Sequence, residues 1–302
     1  MAIPILHFWQ KYFENPDEGL GSTYERFIIN DLLFQIVEKY DIKSVLETPS
    51  FGFTGLSGIN SLGLALKGLS VTVTEDNEER FELVSKIWSR YCRERIYSFR
   101  FINNDNSTNY GTNKCVPYDF SSMVKESQSE IGTTIMYDMT WNFSALWFVD
   151  DLELFLKNIS DITDKVILIM VPNRTGLGYL QQKYFGKEDL KKYLNEEYIK
   201  PENFVPILNK LGWELIKSDY IDCPLWPDIG MSKENFMRKI GLSFLLKNKP
   251  KKTPLTILDY YSGKDTQMKD RILKLDFFER YAPNFFKKFW AHHKYFLFVT
   301  RK

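Results

Sequence analysis

The chain has 302 residues, and at roughly 150 residues per domain this length predicts two domains, or one domain with insertions. Apolar residues make up 44% and aromatic residues 16% of the sequence, which is enough for a large buried core and excludes a disordered chain. Forty basic and 39 acidic residues leave a net charge of +1, which excludes a basic surface that coats nucleic acid.

The sequence contains no segment that predicts a membrane span, a secretory signal or a metal centre. The longest aliphatic run, Val166 to Val171, is far shorter than the about 20 residues that cross a bilayer. The N-terminus lacks a basic region followed by an apolar stretch. Three scattered cysteines and three histidines predict neither disulfides nor a zinc site. We therefore expect a cytoplasmic protein without a bound metal and without a membrane partner.

Helices and strands are predicted to alternate along most of the chain. Residues 1–21 are predicted to form a lid with a short helix over 5–13. Ser22 to Glu25 matches a capping box, which predicts a helix start there and a helix to Tyr40. Short β-branched or apolar runs predict the strands Ser44–Glu47, Ser70–Thr74, Tyr97–Ile102, Thr133–Tyr137, Lys165–Val171, Trp213–Ile221 and Tyr295–Thr300. Helical spacing predicts the helices Leu56–Lys67, Glu78–Cys92, Val149–Ile159 and Glu202–Leu211.

This alternation predicts an α/β fold with a mostly parallel sheet and helices on both faces. The regular pattern covers residues 22–223 and returns at 292–302, so these two stretches are predicted to form one domain. Residues 224–291 interrupt it and are predicted to be an inserted helical cap over the substrate. Residues 174–200 are predicted to be a further cover element.

Polar side chains and a loop with two glycines stand where the predicted strands end, the place where open α/β sheets bind ligands. The residues predicted to contact a ligand are Glu47, Pro49, Ser50, Gly52, Thr54, Gly55, Glu75, Asp76, Asn103, Asn104 and Asp138. Glycines let the backbone approach a ligand closely, and a carboxylate such as Glu75 accepts hydrogen bonds from both ribose hydroxyls of a nucleoside. The alternative for the acidic residues is a solvated strand end, and for Asn103, Asn104 and Asp138 a turn.

The order of these motifs resembles that of class I S-adenosylmethionine-dependent methyltransferases, over roughly residues 22–220 and the final strand. Val45 to Gly55 keeps the acidic residue and the closing Thr-Gly of that family's first loop, and Val71 to Glu75 resembles its second strand with the ribose-binding acid. The segments 152–159 and 292–295 resemble a further helix and the approach to the last strand. The resemblance implies a Rossmann-like cofactor-binding domain, S-adenosylmethionine as the cofactor, and no fixed catalytic residue.

The resemblance leaves the acceptor open. Neither the Asn/Asp-Pro-Pro-Tyr signature of amino-group methylation on adenine or glutamine nor a Pro-Cys nucleophile for cytosine carbon is present. The leading hypothesis is a small molecule or metabolite as the substrate, with residues 174–200 and 224–291 as its cover. Pro49 stands where the family has its first glycine, so a non-catalytic binding protein of the same fold remains an alternative. The basic segment 233–252 leaves RNA modification as a third hypothesis.

Other conspicuous side chains are predicted to be structural. Trp141, Phe143 and Trp147 are expected to pack in the core or the cap rather than to form a substrate cage. His292 and His293 precede a predicted strand, which favours a structural role over a general base, although histidine titrates near neutrality. Cys223 is expected to be a small buried residue.

Overall fold

The computed structural model of the chain describes residues 16–49, 57–75, 78–92, 99–103, 136–185, 195–226 and 254–301. The strands in these ranges are β1 (Ser44–Glu47), β2 (Ser70–Glu75), β3 (Phe99–Asn103), β4 (Tyr137–Phe143), β5 (Thr163–Pro172), β6 (Trp213–Ile221) and β7 (His293–Thr300). The helices are α1 (Gly19–Tyr40), α2 (Ile59–Leu66), α3 (Glu78–Cys92), α4 (Leu152–Asp161), α5 (Leu177–Phe185), α6 (Pro201–Lys210), α7 (Ile257–Tyr261), α8 (Met268–Leu273), α9 (Phe277–Tyr281) and α10 (Asn284–Trp290).

The seven strands form one sheet in the order β3-β2-β1-β4-β5-β7-β6. Strands β1 to β5 run parallel to their neighbours, whereas β7 is antiparallel to both β5 and β6. The predicted α/β class with a mostly parallel sheet is therefore confirmed. The last strand enters between β5 and β6, so the amino end of β7 lies beside the carboxyl ends of its two neighbours.

Helices cover both faces of this sheet, as predicted. On one face α1, α2 and α3 share a buried cluster that includes Leu33, Leu62 and Trp88. On the other face α4 and α6 pack through Phe155 and Phe204. Residues 166–172 of β5 are buried throughout, because a central strand with helices on both faces exposes neither side to water.

The helix α1 begins earlier than the sequence predicts. It starts at Gly19, so the capping box predicted at Ser22 to Glu25 is wrong. The hydroxyl of Thr23 donates to the carbonyl of Gly19 at 2.8 Å, as happens inside a helix. Glu25 is buried, and its Oε2 lies 3.3 Å from Nε2 of His293 in β7.

The stretch between β6 and β7 is attached to the start of α1. Within this stretch, the backbone N–H of Leu255 donates to Asp17 Oδ1 at 3.0 Å, and the backbone N–H of Ile257 donates to Glu18 Oε2 at 2.7 Å. Glu18 also forms a buried ion pair with Arg26. The helices α7 and α8 join the same buried cluster as α1, so the described part of this insertion packs on the domain rather than apart from it. Whether residues 224–291 and 174–200 cover a substrate stays a prediction, and most of the lid predicted over 1–21 lies outside the described residues.

The fourth strand lies further along the chain than predicted. The sequence suggests Thr133–Tyr137, but β4 begins at Tyr137 and ends at Phe143. The error arises because Thr140 and Asn142 are polar and yet buried, whereas the preceding run is β-branched and apolar. Trp141, Phe143 and the following Trp147 are buried in the two core clusters, which confirms their predicted packing role.

Within the described ranges, no helix combines the length and the apolar composition that a bilayer span requires. The longest one, α1, has 22 residues and carries charged side chains along its length.

The fold generates a stability prediction at Gly58, which precedes α2 with φ +70°. A Cβ at this position would lie 2.6 Å from Val73 Cγ2 and 3.0 Å from Trp88 Cζ2, both in the core. Gly58→Ala is therefore expected to lower the free energy of unfolding by about 3 kcal/mol, from backbone strain plus overpacking. Urea unfolding measures the loss.

Gly212→Ala is the matched control, because Gly212 has φ +92° and no atom within 4 Å of the added Cβ. It is expected to cost only about 1 kcal/mol, from backbone strain alone. Equal losses in the two variants would contradict the packing proposed around Gly58.

Candidate functional site

The carboxyl ends of β1, β2, β4 and β5 meet at one edge of the sheet, referred to below as the carboxyl edge. The neighbours of β1 are β2 on one side and β4 on the other, so the chain changes direction across the sheet at β1. Open α/β sheets bind ligands in the crevice at such a switch point, outside the carboxyl ends. The pair β1 and β4 therefore marks where a ligand site is expected.

Glu47, the last residue of β1, is held in a hydrogen-bonded chain that joins three elements. The hydroxyl of Ser61 in α2 donates to Glu47 Oε2 at 2.5 Å. The indole Nε1 of Trp141 in β4 donates to Ser61 Oγ at 3.0 Å. Glu47 is only 5% exposed, so it is a fixed, buried carboxylate and not a solvated strand end.

The backbone just beyond Glu47 is also fixed by side chains. The hydroxyls of Thr48 and Thr74, which belongs to β2, lie 3.2 Å apart. Pro49, which follows Thr48, is buried. The four remaining loop residues that are predicted to approach the ligand, Ser50, Gly52, Thr54 and Gly55, lie outside the described residues.

The predicted ribose acid is at the predicted place on the backbone. Glu75 is the last residue of β2 and pairs with Asn103, the last residue of β3. Because Glu47 pairs with Val73, Glu75 stands two residues further toward the carboxyl edge. Asp76 and Asn104 are outside the described residues.

Asp138 is at the wrong edge for the role that the sequence predicts. It is the second residue of β4 and so lies at the amino ends of the parallel strands, opposite the carboxyl edge. Its Oδ2 accepts hydrogen bonds from the N–H groups of Lys43 and Ser44 at 2.6 and 3.1 Å, and Oδ1 pairs with Lys165 at 3.1 Å. Asp138 thus connects the start of β1 to β4 and β5, and the prediction that it ends a strand is wrong.

A second group of polar side chains lies at the carboxyl edge, and the sequence does not predict that its members, His293, Ser144 and Glu25, are in contact. His293 opens β7 and is 1% exposed. Its Nδ1 lies 3.0 Å from the hydroxyl of Ser144, which follows β4, and its Nε2 lies 3.3 Å from Glu25 Oε2 of α1. The antiparallel direction of β7 explains the position, because its first residue meets the carboxyl ends of its neighbours.

His292 forms a similar buried contact next to this group. Its Nδ1 lies 2.6 Å from Asp222 Oδ2, and its N–H donates to the Asp222 carbonyl at 2.9 Å. Asp222 and Ser144 both have left-handed backbones, with φ +63° and +49°. Such conformations are uncommon outside glycine and concentrate at functional sites. Among the described residues, Glu25, Asp222 and His292 form a group whose spacing suits a metal ion.

The insertion returns to the sheet beside these histidines. Asn173, which follows β5, donates from Nδ2 to the carbonyls of Lys288 and Ala291 at 2.9 and 2.8 Å. Cys223 is fully buried, as predicted, and burial raises the pKa of its thiol to about 12, so the thiol is unreactive near neutral pH.

Glu279 of α9 is a titratable contact between the insertion and the end of β6. The N–H of Cys223 donates to Glu279 Oε2 at 2.6 Å. Burial raises the pKa of this carboxyl from 4.5 to about 7, and the negative charge of Asp222 adds to the rise. The folded chain therefore binds the Glu279 proton more tightly than the unfolded chain does.

This shift predicts a pH dependence of stability. The contribution of protonated Glu279 is complete below pH 4.5 and is lost as the pH rises to about 7. In Glu279→Gln, the free energy of unfolding is expected to fall less between pH 5 and pH 8 than in the wild-type chain. Urea unfolding at the two pH values measures this difference, with exposed Glu38→Gln as the control. An equal fall in the wild type and in Glu279→Gln would refute the prediction.

No protein-family model matches the sequence, and no curated protein sequence matches it. Several solved structures have a similar fold. The plantazolicin methyltransferase BamL, solved with a triazolic substrate analogue and S-adenosylhomocysteine, is 12% identical, with 98% of this chain and 90% of that chain covered and a TM-score of 0.47.

Two further structures are similar over most of their length. Magnesium protoporphyrin IX methyltransferase (ChlM) from Synechocystis PCC 6803 is 9% identical, with 92% of this chain and 84% of that chain covered and a TM-score of 0.46. A methyltransferase from Thiobacillus denitrificans is 13% identical, with 90% and 91% covered and a TM-score of 0.41. Similarities at this level do not assign an activity to the chain.

Proposed function

We propose that the protein is an S-adenosylmethionine-dependent methyltransferase that acts on a small molecule. The observation that carries the proposal is the switch point at β1, where buried Glu47 ends β1 and Glu75 ends the neighbouring β2. The motifs around these two residues are the ones that resemble the class I family. The two acidic residues end adjacent parallel strands, the kind of position from which an acidic residue binds the ribose of a nucleoside.

Each part of the crevice has a proposed task. Glu75 accepts hydrogen bonds from the ribose hydroxyls, and Asp76, Asn103 and Asn104 contact the adenine. The loop of Pro49, Ser50, Gly52, Thr54 and Gly55 surrounds the amino-acid part of the cofactor. Glu47, which Ser61 holds in one orientation, supplies negative charge beneath the positively charged end of the cofactor.

The bound cofactor supplies a methyl group already activated by its sulfonium. With the cofactor bound, an electron pair of the acceptor would form the bond to the methyl carbon as the carbon–sulfur bond broke, S-adenosylhomocysteine would leave, and the proton of the acceptor would pass to solvent. The chain then needs mainly to align the acceptor and to exclude water. This accounts for a site in which no single residue is predicted to be catalytic.

The remaining part of the carboxyl edge is proposed to receive the acceptor. The ends of β4, β5 and β7 lie beyond β1 on the side away from β2. Strands β1 and β7 are three strand spacings apart, about 14 Å, and His293 lies four residues further toward the carboxyl edge than the β7 residue in register with Glu47. The contacts of Asn173 with the insertion at this place support the proposed role of the insertion as a substrate cover.

Calorimetric titration with S-adenosylmethionine and S-adenosylhomocysteine tests the proposal. We expect binding of one ligand per chain, and at least about tenfold weaker binding in Glu75→Gln, which loses charge-assisted hydrogen bonds to the ribose. Glu38→Gln is the control, since Glu38 is exposed near the end of α1. Absence of heat at high micromolar ligand would contradict the proposal.

Methyl transfer separates the enzyme from the non-catalytic alternative. The chain is incubated with radiolabelled S-adenosylmethionine and the small-molecule fraction of a cell extract. Label in a product that Glu75→Gln forms more slowly at low cofactor concentration supports the enzyme. Cofactor binding without transfer to small molecules, RNA or protein would favour the binding protein.

A further inference from the structure

Three potential metal ligands from distant parts of the chain meet at the carboxyl edge. Glu25 belongs to α1, Asp222 follows β6, and His292 precedes β7. One ligand atom from each lies within 4.8 Å of the other two. The three residues are 5%, 1% and 8% exposed, so the group is shielded from solvent.

Burial of charged carboxylates costs free energy, and a nearby positive charge lowers that cost. A divalent cation between two carboxylates and a neutral imidazole would make the group electrically neutral.

Asp222 provides an independent observation that points to a ligand. Its Oδ2 lies 2.6 Å from His292 Nδ1, whereas its buried Oδ1 has no hydrogen-bond partner. A buried acceptor without a partner costs free energy, and a coordinated cation would remove that cost. The left-handed backbone of Asp222, with φ +63°, holds the carboxylate in this place at a further conformational cost.

A second layer of side chains orients the group in the way that metal ligands are commonly supported. The Nε2 of His293 lies 3.3 Å from Glu25 Oε2, and its Nδ1 lies 3.0 Å from Ser144 Oγ. Such outer contacts fix the orientation of a ligating carboxylate. Glu25 is therefore positioned from both sides, by its own helix and by β7.

We propose that Glu25, Asp222 and His292 bind one divalent transition-metal ion, Zn²⁺ or Mn²⁺. One imidazole and two carboxylates suit these ions better than Mg²⁺ or Ca²⁺, which prefer oxygen ligands alone, or Cu⁺, which prefers sulfur. The ion connects α1 to both ends of the insertion between β6 and β7. The site does not depend on the proposed methyl transfer and is tested separately from it.

The first experiment uses the wild-type chain after treatment with a chelator. Addition of ZnCl₂ or MnCl₂ is expected to restore one ion per chain, measured by elemental analysis after gel filtration. A hundredfold excess over the dissociation constant is expected to raise the melting temperature by about 5 °C, because the ion binds the folded chain alone. Absence of uptake at millimolar metal would overturn the proposal.

Paramagnetic Mn²⁺ locates the ion without any variant. The chain has three histidines, so their ring signals are few in an NMR spectrum. Substoichiometric Mn²⁺ is expected to broaden the ring signals of His292 and His293. Unchanged signals of both histidines would overturn the proposal.

Variants test the individual ligands. Asp222→Asn and Glu25→Gln are expected to weaken Zn²⁺ binding by at least about tenfold, measured by competition with a chromophoric chelator. Asp219→Asn is the matched control, an aspartate of β6 outside the group, and is expected to bind as the wild type does. Unchanged affinity in Asp222→Asn would overturn the proposal, and if that variant does not fold, the Mn²⁺ spectrum of the wild type decides.

Discussion

The parallel pairing of β1 with both β2 and β4 is the constraint on which the rest of the structure depends. It places β1 inside the sheet, with β2 and β3 on one side of it and β4, β5, β7 and β6 on the other. The carboxyl ends of three strands then stand side by side, and Glu47 is fixed there by Ser61 and Trp141. A positively charged ligand beside this buried carboxylate would interact with it favourably.

The antiparallel strand β7 builds the other half of the carboxyl edge. Because it runs against β5 and β6, its first residues meet the ends of those strands, and His292 and His293 enter the interior. Their partners are Asp222, Ser144 and Glu25, from three different elements. A few buried polar contacts therefore connect α1, the ends of the insertion and the final strand.

Much of the sheet could be predicted from the sequence, whereas most of the contacts in it could not. The strands Ser44–Glu47 and Trp213–Ile221 have the predicted bounds, and Ser70–Glu75 differs by one residue, because local patterning and turns define them. The fourth strand was misplaced because Thr140 and Asn142 are polar residues that tertiary packing buries. The partners of the histidines lie 70 to 268 residues away in the chain, a distance at which one sequence gives no indication of contact.

A crystal structure with S-adenosylhomocysteine is the most direct test of the central claim that the ends of β1 and β2 form a nucleoside site. The account predicts the ribose hydroxyls within hydrogen-bonding distance of the Glu75 carboxylate, and the amino-acid part of the ligand beside Glu47. A ligand bound elsewhere on the chain, or a Glu75 side chain directed away from the ribose, would contradict the account.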